Sequence, residues 1–279
     1  VQVWGEPGPG KTPLVMVHGW MDVAASYQFV VDAFAQDHYI IAPDWRGYGQ
    51  TKAPQADNFW FPDYLADLDF LLDHYAPGQP VNLVGHSMGG NVVMLYGGVR
   101  PERIRRLVNL EGFGMPATRP AQAPGRFASW MDELKKLHAG EMDMKDYDTV
   151  EDLARRLMKT NPRLGQDKAD WLARHWAAET PDGQWAIQGD AAHKVTNAQL
   201  YRVEEVLEIY KRLTMPVLAV EASDNSLDLW WKGKFTLAEY HERLKVVPQV
   251  EVARIEDAGH MMHHDQPAAL AALIERFIA

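Results

Sequence analysis

The segment Gly85-His86-Ser87-Met88-Gly89-Gly90 directly follows the apolar run Val81-Asn82-Leu83-Val84. This order demands a strand, a sharp turn at the serine, and a helix starting near Met88. A side chain two residues before or after the serine would collide inside such a turn, and glycine stands at both places. The helix that follows aims its free N–H groups and the positive end of its dipole at the serine hydroxyl. Three fixed positions recur by chance in roughly one chain in ten of this length, so the pattern draws its meaning from its surroundings. Competing nucleophiles are few, because serine otherwise occurs only at Ser26, Ser129, Ser223 and Ser226.

Upstream and downstream of the turn, short apolar strands alternate with helical patterns. Strands are expected at Leu14 to Val17, Tyr39 to Ala42, Val81 to Val84 and Arg106 to Leu110. Helices are expected at Ala24 to Phe34, Tyr64 to Tyr75 and Met88 to Val99, the second with Leu65, Leu68, Leu71 and Leu72 on one face. That rhythm implies an α/β fold with a mostly parallel sheet covered on both faces. From about Gly114 to Thr214 the pattern turns helical, without a convincing strand, and four apolar faces repeat around Trp130, Leu153, Trp171 and Val206. After Pro216 the alternation resumes with strands at Val217 to Val220 and Val250 to Ile255 and a closing helix at Ala268 to Phe277. The expected organisation is therefore a core over 1–113 and 215–279, interrupted by a helical cap over 114–214.

Composition narrows the function. The 279 residues are 47% hydrophobic and 24% charged, with a formal net charge of −10. Excess negative charge repels nucleic acid and anionic membrane surfaces. No stretch approaches the roughly 18 apolar residues of a membrane span. Without any cysteine, neither disulfides nor thiolate catalysis is available. The expected compartment is the cytoplasm, the expected partner a small-molecule substrate, and the expected assembly a monomer or homodimer.

Two further segments join the serine turn. His18-Gly19-Trp20 ends one strand, and Ala258-Gly259-His260 lies in the loop after the last. This order of loop, serine and late histidine resembles the α/β-hydrolase fold family. Asp44-Trp45-Arg46-Gly47-Tyr48-Gly49 looks like the Asp-x-Arg-Gly-x-Gly turn of that family's epoxide-hydrolase-like branch. Within the family the chain most resembles capped bacterial serine hydrolases, and Val1 to Trp4 would correspond to the family's second strand. The resemblance implies an α/β-hydrolase core with Ser87 as nucleophile and His260 as its base. Backbone amides of Met88 and Trp20 would form an oxyanion hole. An Asp nucleophile, as in epoxide hydrolases and haloalkane dehalogenases, is replaced here by Ser87, which leaves acyl transfer to water.

The triad acid has two candidates. In related hydrolases it follows the strand at Val217 to Val220, usually nine residues after the Pro that opens it, and that count falls on Asn225. A one-residue shift would make Asp224 the acid, which is the favoured assignment. The alternative is Glu111 at the end of the preceding core strand, as in some relatives of this fold. His18, Gly19, Asp22, Trp130, Trp176 and Trp185 are expected around a small apolar pocket beneath the cap. His260, His263, His264 and Asp265 resemble a metal-ligand cluster, but the catalytic use of His260 argues against a metal, and no cofactor is expected. His86 is expected to pack, and Asp44 and Arg46 to fix their turn. The resulting expectation is a carboxylic ester hydrolase. The alternatives are a lactonase or C–C bond hydrolase with the same triad, and a ligand-sensing receptor built on the same fold.

Overall fold

The computed structural model describes residues 1–53 and 56–279. In chain order its strands are β1 (Gln2–Trp4), β2 (Leu14–Val17), β3 (Ile40–Ala42), β4 (Val81–His86), β5 (Ile104–Leu110), β6 (Asp146–Tyr147), β7 (Ala177–Glu179), β8 (Trp185–Ile187), β9 (Val217–Ala222) and β10 (Val250–Ile255). Seven of them form one sheet in the order β1-β3-β2-β4-β5-β9-β10, parallel except for β1, which runs antiparallel to β3 at one edge. The central strands β2, β4 and β9 are buried at every position, whereas the far edge strand β10 buries only Ile255. A parallel sheet buried on both faces explains why these strands read as continuous apolar runs.

Alternate residues of each strand serve opposite layers. Val15, Val17, Leu83, Leu107 and Val217 belong to one apolar cluster, and their neighbours Leu14, Met16, Val84, Val108 and Leu218 to the other. The helices are α1 (Gln28–Val31), α2 (Phe61–Tyr75), α3 (Met88–Val99), α4 (Ala123–His138), α5 (Val150–Thr160), α6 (Gln166–Trp176), α7 (Val203–Tyr210), α8 (Leu227–Trp231), α9 (Leu237–Leu244), α10 (Met262–Asp265) and α11 (Pro267–Ile278). Helices α2, α3 and α9 cover the first face, through residues such as Leu68, Leu72, Val92 and Tyr240. The second face is covered by the 24–31 segment and α11, through Tyr27, Val30, Leu270 and Ile274. Each fully buried Leu contributes about 1.5–3 kcal/mol relative to exposure.

Between β5 and β9 lies the inserted block, and two features depart from the sequence expectation. It contains three strands, β6, β8 and β7, paired antiparallel in that order. Strands of two or three residues show no readable periodicity. Their local signal is the turn Thr180-Pro181-Asp182-Gly183, where Gly183 adopts φ +81° and its N–H donates to the Thr180 carbonyl at 2.9 Å. The second departure is α7. Its Val206 and Tyr210 join the core cluster beside α3 rather than the block's own apolar centre. That centre is built by Val150, Leu153, Leu157, Leu172 and Ala173 of α5 and α6. Helix α4 buries no residue at all.

Candidate active site

Ser87 is the residue between β4 and α3, with φ 54° and ψ −114°. A non-glycine residue at such angles is strained and persists only where its surroundings impose the geometry. Here the Ser87 N–H is taken by the Leu110 carbonyl at 2.8 Å, and its own carbonyl accepts from Asn91 N at 3.0 Å. The two flanking glycines are sterically obligatory. A Cβ on Gly85 would fall 2.3 Å from the Gly89 oxygen, and one on Gly89 would fall 2.5 Å from the carbonyl oxygens of Val17 and His18. The start of α3 is thereby pressed against the end of β2, with Met88 as its first residue.

The loop after β2 comes equally close. A Cβ on Gly19 would lie 3.1 Å from Ser87 Cβ. His18 is fully buried and does not line a pocket as expected. Its Nε2 accepts from Trp45 N at 2.9 Å, so its Nδ1–H donates to the Gly19 carbonyl at 2.8 Å. Both ring nitrogens are used to hold the loop shape, and burial lowers the pKa, keeping the ring neutral. The Trp20 side chain is 53% exposed and its Nε1–H donates to the His193 carbonyl at 3.2 Å. Asp44 accepts from Ala24 N at 2.8 Å and Gln50 N at 3.1 Å, and Arg46 pairs with Asp63 and Asp67, so this motif fixes its turn.

The carboxylate that meets His260 is Glu111, not the favoured Asp224. His260 Nδ1 lies 2.7 Å from Glu111 Oε2. Glu111 ends the path out of β5 at φ 52°, with its N–H on the Val220 carbonyl at 3.0 Å. Its side chain is wholly buried, Oε1 accepting from Ala222 N at 3.0 Å and Oε2 also accepting from Ser226 Oγ at 3.1 Å. Three donors fix one buried carboxylate, which desolvation would otherwise penalise. Asp224 is 65% exposed and paired with Arg163. Asn225 turns its Oδ1 to Leu227 N at 3.2 Å, at the start of α8. The loop after β9 therefore spends both polar residues elsewhere and leaves the imidazole to the neighbouring strand.

Beneath His260 lies a polar group that motif reading does not join together. His86 Nε2–H donates to the His260 carbonyl at 2.7 Å. His263 Nε2 is 3.7 Å from Asp22 Oδ2, an ion-pair separation, and Asp22 Oδ1 accepts from Val23 N and Ser26 Oγ. Burial, followed by the charges of His263 and His260, pushes His86 well below the usual histidine range. For Asp22 burial acts upward, but the contact with His263 and its charge outweigh it, leaving the carboxyl below its ordinary value. Asp22, His86 and His263 offer ligand atoms within 4.8 Å of one another and are the side chains a cation could use. The His86 and Asp22 bonds already assign most of that cluster a structural purpose.

Of the tryptophans expected around a pocket, Trp176 alone has a polar link to the core, its Nε1–H donating to Ser26 Oγ at 3.1 Å. With Met21, Asp22, Tyr48 and Ile187 it borders a cavity of about 10 Å³, room for one water at most. Trp185 packs on the apolar centre of the inserted block. Trp130 sits half-buried on α4 with its Nε1 unpartnered. Trp230 touches His260 edge to face at 4.3 Å between ring centres, and the His86 ring lies against it at 4.6 Å.

A strained serine between a strand and a helix, beside a glycine-lined loop and a histidine on a buried carboxylate, defines the α/β hydrolases. Residues 12–267 match the model of the alpha/beta hydrolase fold, and the chain belongs to that family. A serine hydrolase-like protein of Danio rerio is 26% identical over 292 residues, spanning 99% of this chain and 84% of the relative. A cis-3-alkyl-4-alkyloxetan-2-one decarboxylase of Shewanella oneidensis is 36% identical over 117 residues, 40% of this chain and 36% of that protein. Among solved structures, a thioesterase domain from the curacin biosynthetic pathway superposes with a TM-score of 0.82 at 23% identity, covering 98% of this chain and 93% of the domain. No helix among the described residues is long and apolar enough to cross a membrane.

Proposed function

We propose that the protein is a serine hydrolase that cleaves a small, largely apolar carboxylic ester through an acyl-enzyme. The observation that carries this reading is the strained Ser87 elbow beside a histidine fixed by a buried carboxylate. The full-length likeness to a serine hydrolase-like protein supports it.

In the mechanism His260 keeps its Nδ1–H on Glu111 and presents Nε2 to Ser87. Nε2 takes the hydroxyl proton as Oγ adds to the substrate carbonyl carbon. The amides of Met88 and Trp20 hold the resulting oxyanion, assisted by the positive end of α3. Collapse of the adduct breaks the bond to the leaving alkoxide, which receives the proton from Nε2. A water then adds to the acyl-enzyme, giving its proton to Nε2, and the acid departs as Ser87 regains its hydroxyl proton. Glu111 stabilises the imidazolium formed in both halves and fixes its tautomer. The exposed indole of Trp230 supplies apolar surface beside the histidine.

A lactone is the second reading, favoured by the partial likeness to the oxetanone decarboxylase. It would use the same attack on a carbonyl. Labelling by a fluorophosphonate and turnover of p-nitrophenyl esters of increasing chain length test the first reading. Ser87→Ala should lose labelling and all but about a thousandth of kcat while remaining folded. Retention of a tenth of the wild-type rate would reject Ser87 as nucleophile.

A further inference from the structure

The loop that carries His260 is bonded to the core through Ser223 and Asp224 at Ala258, and the inserted block reaches the same region through a second set of contacts. Asp265 sits between the two. Its Oδ2 accepts the backbone N–H of Gly259, the residue before His260, at 2.8 Å. Its Oδ1 accepts from Asn161 Nδ2, at the end of α5, at 2.7 Å. Lys168 of α6 donates to the His264 carbonyl at 2.5 Å. Arg163, between those two cap residues, pairs with Asp257 of this loop and with Asp224 of the neighbouring loop after β9. A second connection runs underneath. Trp176 Nε1–H meets Ser26 Oγ, Ser26 meets Asp22, Asp22 faces His263, and the His263 ring packs on His86 at 4.4 Å between centres. His86 in turn holds the His260 carbonyl. Both connections start on the cap and end on the backbone of the catalytic histidine, one immediately before it and one at it.

We propose that Asp265 is a positioning residue for His260, held in place by Asn161 of the cap, so that the imidazole reaches its working position only while the cap is seated. The proposal rests on the serine-hydrolase reading above. Its physical basis is leverage on a short loop. His260 is fixed at one end of its ring by Glu111 and must present the other end to Ser87, so a shift of its backbone moves Nε2 relative to Oγ. A displacement of about 1 Å is enough to cost on the order of 100-fold in rate. Lifting of the cap would take Asn161 away from Asp265 and so loosen the loop that carries the histidine. Reseating over bound substrate then assembles the proton-transfer geometry, which confines hydrolysis to an occupied, closed site.

The experiment uses the full chain, with Asn161→Ala, Asp265→Ala and the double variant. It measures kcat and KM for a p-nitrophenyl ester, the rate constant of fluorophosphonate labelling, and Tm. Asn161→Ala should lower kcat and the labelling rate about tenfold with KM within about twofold, and Asp265→Ala about 100-fold. In the double variant Asn161→Ala should add less than a further twofold, because its effect passes through Asp265. A merely structural bond would lower Tm and leave kcat unchanged below the transition. The proposal is overturned if Asn161→Ala keeps kcat within twofold of wild type, or if the two effects multiply. Should Asp265→Ala fail to fold, Asp265→Asn, which removes one of the two acceptor oxygens that join Asn161 to Gly259, takes its place. The expected result is then a several-fold loss in kcat, and an unchanged kcat refutes the proposal. Absence of any labelling in the wild type would instead reject Ser87 as nucleophile, a separate failure.

Discussion

Replacing Glu111 by Gln changes one atom in the most enclosed part of the site. The side chain has no solvent exposure, and its two oxygens accept from Ala222 N, Ser226 Oγ and His260 Nδ1. A Gln can keep its oxygen on Ala222 N, but its NH₂ then faces the Nδ1–H of His260, donor against donor. The ring must turn away or carry its proton on Nε2, and in either case Nε2 no longer accepts from Ser87. The imidazolium of the transition state also loses its counter-charge. The corresponding acid-to-amide change in a serine protease triad costs about 10⁴ in kcat, which is about 5.5 kcal/mol of transition-state stabilisation. A folding penalty of about 1–3 kcal/mol accompanies the mispaired donors. The assay is kcat on a p-nitrophenyl ester below the measured Tm, with fluorophosphonate labelling as a second readout. A folded Glu111→Gln variant retaining more than a tenth of kcat would refute the role given to Glu111.

Asp224→Asn is expected to leave kcat within about twofold, since its carboxylate faces Arg163 on the surface; a 100-fold loss by steady-state kinetics would return the acid to the loop after β9. Gly89→Ala should prevent recovery of folded, labelled protein, because its Cβ would sit 2.5 Å from two backbone oxygens. A soluble variant with wild-type Tm would disprove the steric argument. Stability should fall on acidification. Burial holds His86 and His264 well below the usual histidine value, and His193 at about 4. The unfolded chain therefore binds more protons below about pH 6.5, so stability is complete above that value and is lost as pH drops toward 4. A Tm that stays level from pH 7 to 4.5 would contradict the burial of these rings.

The elbow was legible because its constraints are local. Gly85, Ser87 and Gly89 answer to clashes within a few residues, so the residue types themselves carry the geometry. The alternation of strands and helices was legible for the same reason, since a sheet buried on both faces writes apolar runs into each strand. The three short strands of the inserted block were not, because two or three residues set no period, and the packing of α7 was not, because its apolar face does not say which neighbour it meets. Which carboxylate faces His260 was decided by tertiary structure alone. Glu111 and His260 stand 149 positions apart, and which carboxylate the imidazole finds depends on where the loop after β9 runs. There Arg163, contributed by the inserted block, draws Asp224 outward, while Ala222 N and Ser226 Oγ turn Glu111 inward. Sequence spacing records the length of that loop but not its path, and a buried carboxylate settles where three donors from two separate segments converge.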